Sequence, residues 1–211
     1  MSDERKTDNF SMRTFLMTIE SIIGSNGLKS ILNYGHLERY IDNFPPDNEE
    51  LVIPLEDLQR LLFSLYQLFG QKGARSLRLR VGREIFRVGI EKRPKIAKTL
   101  KVAARLIPET KRMHLVLEKL AEYDWKAFSS HLEKPSFEIQ ETEDCFLLID
   151  KDRYESEGMT SQEPVCGVFV GAAEAIVEWI TGHYHEVEEI ECRAMGHKAD
   201  VFKISKISKE V

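Results

Sequence analysis

The sequence predicts an α+β fold: an N-terminal helical half, then an antiparallel sheet of about four strands, with a long helix inserted between two hairpins. Three observations carry that prediction. Up to about residue 129, apolar residues repeat at helical spacing between glycine and proline stops. Beyond residue 136, short runs rich in β-formers come in two pairs, 137–149 and 184–202. Between the pairs lies an apolar stretch from Cys166 whose periodicity is helical. Helices first, then two strands, a helix and two strands, is the order of an α+β domain.

In chain order, residues 10–23 form an amphipathic helix with Phe15, Leu16, Ile19, Ile22 and Ile23 on or near one face. Gly24-Ser25-Asn26-Gly27 ends it. Helical segments at 28–33 and 37–42 follow, and 43–50, with Pro45-Pro46, is a loop. A helix over 54–69 opens on Pro54, carries Glu56 and Asp57 in its first turn and stops at Gly70, as capping and dipole rules require. The helix over 73–91 places Gly82 where a neighbouring helix or a ligand can come close. Its arginines, Arg75, Arg78, Arg80, Arg83 and Arg87, read as a wet face. The stretch 92–112 holds eight basic residues against Glu109 alone, again read as a solvated face. Pro108 opens a helix that runs to 129.

The second half proposes a site. Strands at 137–140 and 145–149 make a hairpin, and 150–163 is a long polar loop, expected to be mobile or a lid. Pro164 suits the first turn of the next helix and Gly182 its end. The following strand reaches Cys192, and the turn Met195-Gly196-His197-Lys198 needs Gly196 in a left-handed conformation. A hairpin centred on Gly196 sets Cys192 opposite Asp200, with Cβ atoms about 5 Å apart. Cys166, at a helix N-terminus, gains thiolate character from the helix dipole. Glu189 and Cys192, three apart, share a face only if a bulge or strand end separates them.

The run PVCGVFVGAAEAIVEWITG followed by Glu-x-x-Cys-x-x-x-Gly resembles the C-terminal half of the 4-vinyl reductase domain family, described as hydrocarbon-binding. GQKGARSLRLRVGREIF and MTIESIIGSNGLKSILNYGHL resemble its helical half less specifically. In metal-bearing members, such as sensor domains of phenol-responsive activators, zinc is held by a Cys, a Glu-x-x-Cys and a further Cys. The resemblance therefore implies Cys166, Glu189, Cys192 and Asp200 as ligands, with Asp where the family has Cys, and His197 as a substitute. Four protein ligands leave no open position, so such a zinc is a structural staple. The family likeness extends in fold to trafficking-complex subunits.

The chain of 211 residues has three cysteines and no apolar leader in MSDERKTDNF, which points to reduced thiols and a cytoplasmic setting. No segment reads as a membrane span. A net charge of −5 disfavours nucleic acid as a partner. No P-loop, dinucleotide fingerprint or nucleophile elbow occurs, so neither nicotinamide nor flavin is expected. Residues 1–53 read as a helical extension that could support a homodimer through Phe15, Ile19 and Ile22, and 54–211 as the ligand-binding domain. The expected function is non-catalytic uptake of a small hydrophobic molecule, hydrocarbon, lipid-like or tetrapyrrole-like, in a pocket lined by Phe63, Tyr66, Phe86, Trp125, Phe128 and Phe169. The alternatives are an enzyme or accessory in tetrapyrrole vinyl reduction, suggested by the family name, and a structural adaptor.

Overall fold

A computed structural model describes residues 5–104, 106–128, 133 and 136–209. Helices fill the first half and a four-stranded antiparallel sheet the second, so the α+β prediction holds. Strand β1 (Lys6–Asp8) leads into helix α1 (Asn9–Tyr34), and β2 (Leu51–Pro54) into α2 (Leu55–Glu91). Then come α3 (Pro94–Ala104), α4 (Glu109–Phe128), β3 (Phe137–Glu141), β4 (Cys145–Asp150), α5 (Gly167–Thr181), β5 (Tyr184–Glu191) and β6 (Asp200–Lys209). The large sheet has the order β3-β4-β6-β5, and β1 pairs with β2 in a small sheet of their own.

Glycine interrupts the helices where expected. At Gly24 (φ 77°, ψ 167°) and at Gly70 (φ 64°, ψ 179°) the backbone leaves helical geometry, so α1 and α2 are each two helices that meet at a kink. A residue without Cβ adopts such angles cheaply, so the chain turns sharply there and a new helix starts at once. Asp8 caps α1 by accepting the Ser11 N–H at 2.6 Å. Residues 37–42, expected to be a short α-helix, contain only a 3₁₀ turn, Glu38–Tyr40. The β1–β2 pair was not foreseen, because each strand is only three or four residues long.

Two apolar clusters make up the interior. One joins α1, most of the length of α2 and the end of α4; the other joins α4, α5 and the inner face of the large sheet. Side chains from both sides of the expected boundary at residue 53 share the first cluster. Phe15 and Ile19 are fully buried in it and Ile22 packs against it, so the face expected to serve a dimer is filled from within the chain.

Helices α2 and α5 touch backbone to backbone. A Cβ built on Gly82 would stand 1.9 Å from the Val168 carbonyl oxygen, and one on Gly171 would stand 2.0 Å from that of Leu79. Only glycine permits that approach, so Gly82 admits the neighbouring helix. This contact sets the N-terminal end of α5 above the closing hairpin.

The largest departure from expectation is the segment between β4 and α5. Read as a mobile loop or lid, it is instead threaded inward: Arg153, Tyr154, Glu155 and Ser156 are each at most 2% exposed. Tyr154 enters the first cluster and stacks on Phe128 at 4.5 Å between centroids. The Arg153 guanidinium lies 4.4 Å from the Phe169 ring centre and 5.1 Å from that of Phe137, both against the second cluster. This strap joins the two interiors.

Candidate metal centre

Four buried donors converge where the strap, the start of α5 and the closing hairpin meet. One ligand atom from each of Cys166, Glu189, Cys192 and Asp200 lies within 4.8 Å of all the others. Cys166 is the residue that precedes α5. Glu189 stands near the end of β5, where the register against β6 shifts between Glu189 and Glu191. That irregularity is the bulge the three-residue interval demanded, since without it Glu189 and Cys192 would face opposite ways. Gly196 takes the left-handed conformation (φ 93°), so the chain turns back and Asp200 opens β6 beside Cys192.

Each donor is oriented by a second group. Glu189 Oε2 accepts the Cys166 N–H at 2.8 Å, and its buried Oε1 has no hydrogen-bond partner outside the four-donor group. Asp200 Oδ1 accepts the Arg193 N–H at 2.8 Å and Oδ2 the Ser156 hydroxyl at 2.7 Å. Supporting contacts of this sort fix the aim of a ligating carboxylate. His197, the expected substitute, stands outside the group. It is exposed, with Nδ1 3.0 Å from the Cys192 carbonyl oxygen, because the tight turn carries it to the solvent side.

The thiolate falls on a different cysteine from the one expected. Burial, then the hydrogen bond to Cys192, pushes the Cys166 thiol well above its usual range. That bond, with the Glu189 carboxyl and the N–H groups of Val165 and Ala194, draws Cys192 down to about 6. Burial and the neighbouring Cys192 push Glu189 up to about 9. The helix dipole at Cys166 is outweighed by desolvation. A soft divalent ion bound here would displace protons from Cys166 and Glu189, the two groups whose affinity for protons burial has raised. Two sulfurs and two oxygens, all buried, fit tetrahedral zinc; the Asp in the last position supplies an oxygen donor where a thiolate was lost.

The strap behind this group carries residues that sequence reasoning missed. Arg153 donates to both Asp124 oxygens at 3.1 and 2.6 Å and, through Nε, to Asp150 at 2.9 Å. Glu155 accepts the N–H groups of Val168 and Phe169 at 2.9 and 3.0 Å, capping α5 from outside the helix. The signal was an arginine set among acids next to an aromatic, Asp150-Lys151-Asp152-Arg153-Tyr154-Glu155. Its composition was read as solvation when it serves mutual satisfaction.

The six aromatics expected to line one pocket are divided. Phe128 and Tyr66 belong with the first cluster, Phe86 and Phe169 with the second; Trp125 is half-buried and Phe63 is 46% exposed. Arg153, Tyr154, Phe169 and Phe202 fill the space between helices and sheet. Of the six, Phe63 alone lines the open depression of about 200 Å³ where α2 meets the strap, together with Leu62, Tyr154 and Met159.

Residues 151–206 match the family model of the V-4-R domain, the 4-vinyl reductase domain. No curated protein matches the chain. Among solved structures, the chain is similar to the phenol-responsive sensory domain of the transcription activator PoxR with phenol, at 16% identity over 76% of this chain and 78% of that one, TM-score 0.53. It is also similar to the Fe(II) unliganded H-NOX protein from K. algicida, at 16% identity over 97% and 98%, TM-score 0.59. A structure from work on haem distortion in the H-NOX family aligns at 13% identity over 97% of each chain, TM-score 0.59. At these identities the likeness is one of fold. The chain thus matches the 4-vinyl reductase domain family through residues 151–206, the stretch that holds all four donors, and there the resemblance read from the sequence is borne out.

Proposed function

We propose that this chain is a non-catalytic sensing or carrying module for a small hydrophobic molecule, with a structural zinc that staples the start of α5 to the β5–β6 hairpin. The observation that carries the reading is the closed set of Cys166, Glu189, Cys192 and Asp200 inside the stretch that matches the family. Four buried protein donors give an ion no open position for a reacting water, which favours a structural over a catalytic role. The PoxR sensory domain of similar fold was solved with phenol, which favours a small aromatic as the molecule sensed. The depression of about 200 Å³ lined by Leu62, Phe63, Tyr154 and Met159, together with the polar Glu56, Gln59, Arg60 and Glu157, has room for a single ring.

Haem, which the H-NOX likeness brings to mind, does not fit these residues. Among the described histidines, His36, His183 and His197 are exposed, and His185 is buried with Nδ1 2.9 Å from the Ser205 carbonyl oxygen. His114 sits edge-on to Phe146 and close to Glu118 and Glu141. None of them lines the depressions beside Leu28, Ala74 or Phe63. The filled interior favours one second reading, that of an adaptor with no ligand.

Native mass spectrometry of protein purified without chelator tests the zinc: one ion per chain is expected, lost in Cys192→Ser and kept in His197→Ala. Metal-free protein whose thermal stability is unchanged by Cys192→Ser would overturn the staple. For the ligand, phenol and toluene should raise the melting temperature of the wild type and not that of Phe63→Ala. No shift with any monocyclic aromatic would move the assignment to the adaptor.

A further inference from the structure

The positive charge of this acidic protein is gathered on one surface that the proposed module does not use. Residues 92–112 carry net +7, so the remainder of the chain carries −12. Among the described side chains of α3, Ala104 is buried and Ala97 and Leu100 half-buried against the body. The helix's other described side chains face water, and the turn after it projects apolar side chains: Leu106 is 85% exposed and Ile107 36%, with Val102 at 53% and Ile96 at 52%. Lys92 and Arg93 pair with Asp47 and Glu49, and Lys101 lies over the Trp179 ring at 5.0 Å. Lys95 and Lys98 have no carboxylate within ion-pair distance among the described residues.

We propose that α3 and the turn into α4 dock on an anionic lipid surface, with Leu106 and Ile107 entering the headgroup layer and Lys95 and Lys98 meeting lipid phosphates. Two features select a bilayer over an acidic protein. The apolar residues stand exposed on the turn between two helices, where a protein partner would have to supply a matching pocket but a lipid interface yields to them. The lysines stand on the exposed side of the helix that leads into that turn, so surface potential and apolar insertion can act together. Among the described residues no helix is long and apolar enough to cross a membrane. This inference is independent of the metal and ligand assignments.

Sedimentation of the full chain with phosphatidylcholine vesicles, with and without phosphatidylglycerol, tests it. Binding is expected only with the anionic lipid and should weaken as salt rises. Lys95→Glu with Lys98→Glu should lower the bound fraction by about tenfold or more, since each basic residue near such a surface is worth about a factor of five. Leu106→Asp should lower binding even at low salt. Leu106→Trp, at a site exposed enough not to disturb the fold, should show a blue-shifted emission increment over the wild type when anionic vesicles are added. Absence of binding to anionic vesicles at low salt, or equal binding to pure phosphatidylcholine, overturns the proposal. A concentration-dependent dimer abolished by Leu106→Asp would also overturn it, by giving the turn to a second copy of the chain.

Discussion

The strap over 151–166 and helix α3 are both rich in charge, and in sequence both look like solvent-facing chain. In the fold they part ways. Arg153, with a side chain 1% exposed, meets the carboxylates of Asp124 and Asp150, and Glu155 meets two backbone N–H groups of α5. Lys95 and Lys98 of α3 stay in water. Charge density alone does not say whether a segment is wet. What decides is whether groups distant in sequence arrive to satisfy each charge, because an unpaired buried ion costs several kcal/mol and a paired one far less.

The largest test of that contrast removes a partner. Asp124→Ala leaves the buried Arg153 short of its bidentate acceptor and should cost about 3 kcal/mol in urea unfolding. A loss under about 1 kcal/mol would mean the strap is not clamped by charge.

A pH series sharpens the comparison next. Burial, against the pull of Arg153 and the Val168 N–H, raises Glu155 from 4.5 to about 7. Between those values the folded chain keeps a proton that the unfolded chain has released. Stability from this group is therefore full below about pH 4.5 and is lost as pH rises to about 7, on the order of 3 kcal/mol in all. Glu155→Gln should flatten that slope in denaturant titrations at pH 5, 6 and 7, and an unchanged slope would place the titration elsewhere.

Smaller still, Ser156→Ala removes the hydroxyl that holds Asp200 Oδ2 and should cost about 1 kcal/mol. If Asp200 is a ligand, the same variant should also lose zinc to a chelator faster than the wild type. At the bottom of the scale, Lys98→Ala on α3 should change stability by no more than about 0.5 kcal/mol by thermal melts. A larger loss would show that the helix is not the free surface it looks to be.

Several features were legible in the sequence because they depend on neighbours in the chain. Gly182 ends its helix and Gly196 makes a left-handed turn, as the sequence predicts, and both have positive φ. The spacing of Cys166, Glu189, Cys192 and Asp200 named four residues that the fold brings together, together with the bulge it required. The five arginines read as one wet face were not uniform: Arg78 is 2% exposed and donates to the carbonyl oxygens of Leu62 and Val165. A helix face is a local property, but which turn of it meets another helix is not.

By itself the sequence determined the order of the long helices and of the four strands of the large sheet, the turns that need glycine, and the donors that a hairpin would gather, since each follows from backbone preference and short-range spacing. Only the tertiary structure decided that the strap goes inside, that the thiolate rests on Cys192 and not Cys166, and that the six aromatics line no common cavity. Burial and charge pairing are set by what packs against a residue from far along the chain, and local sequence carries no record of that.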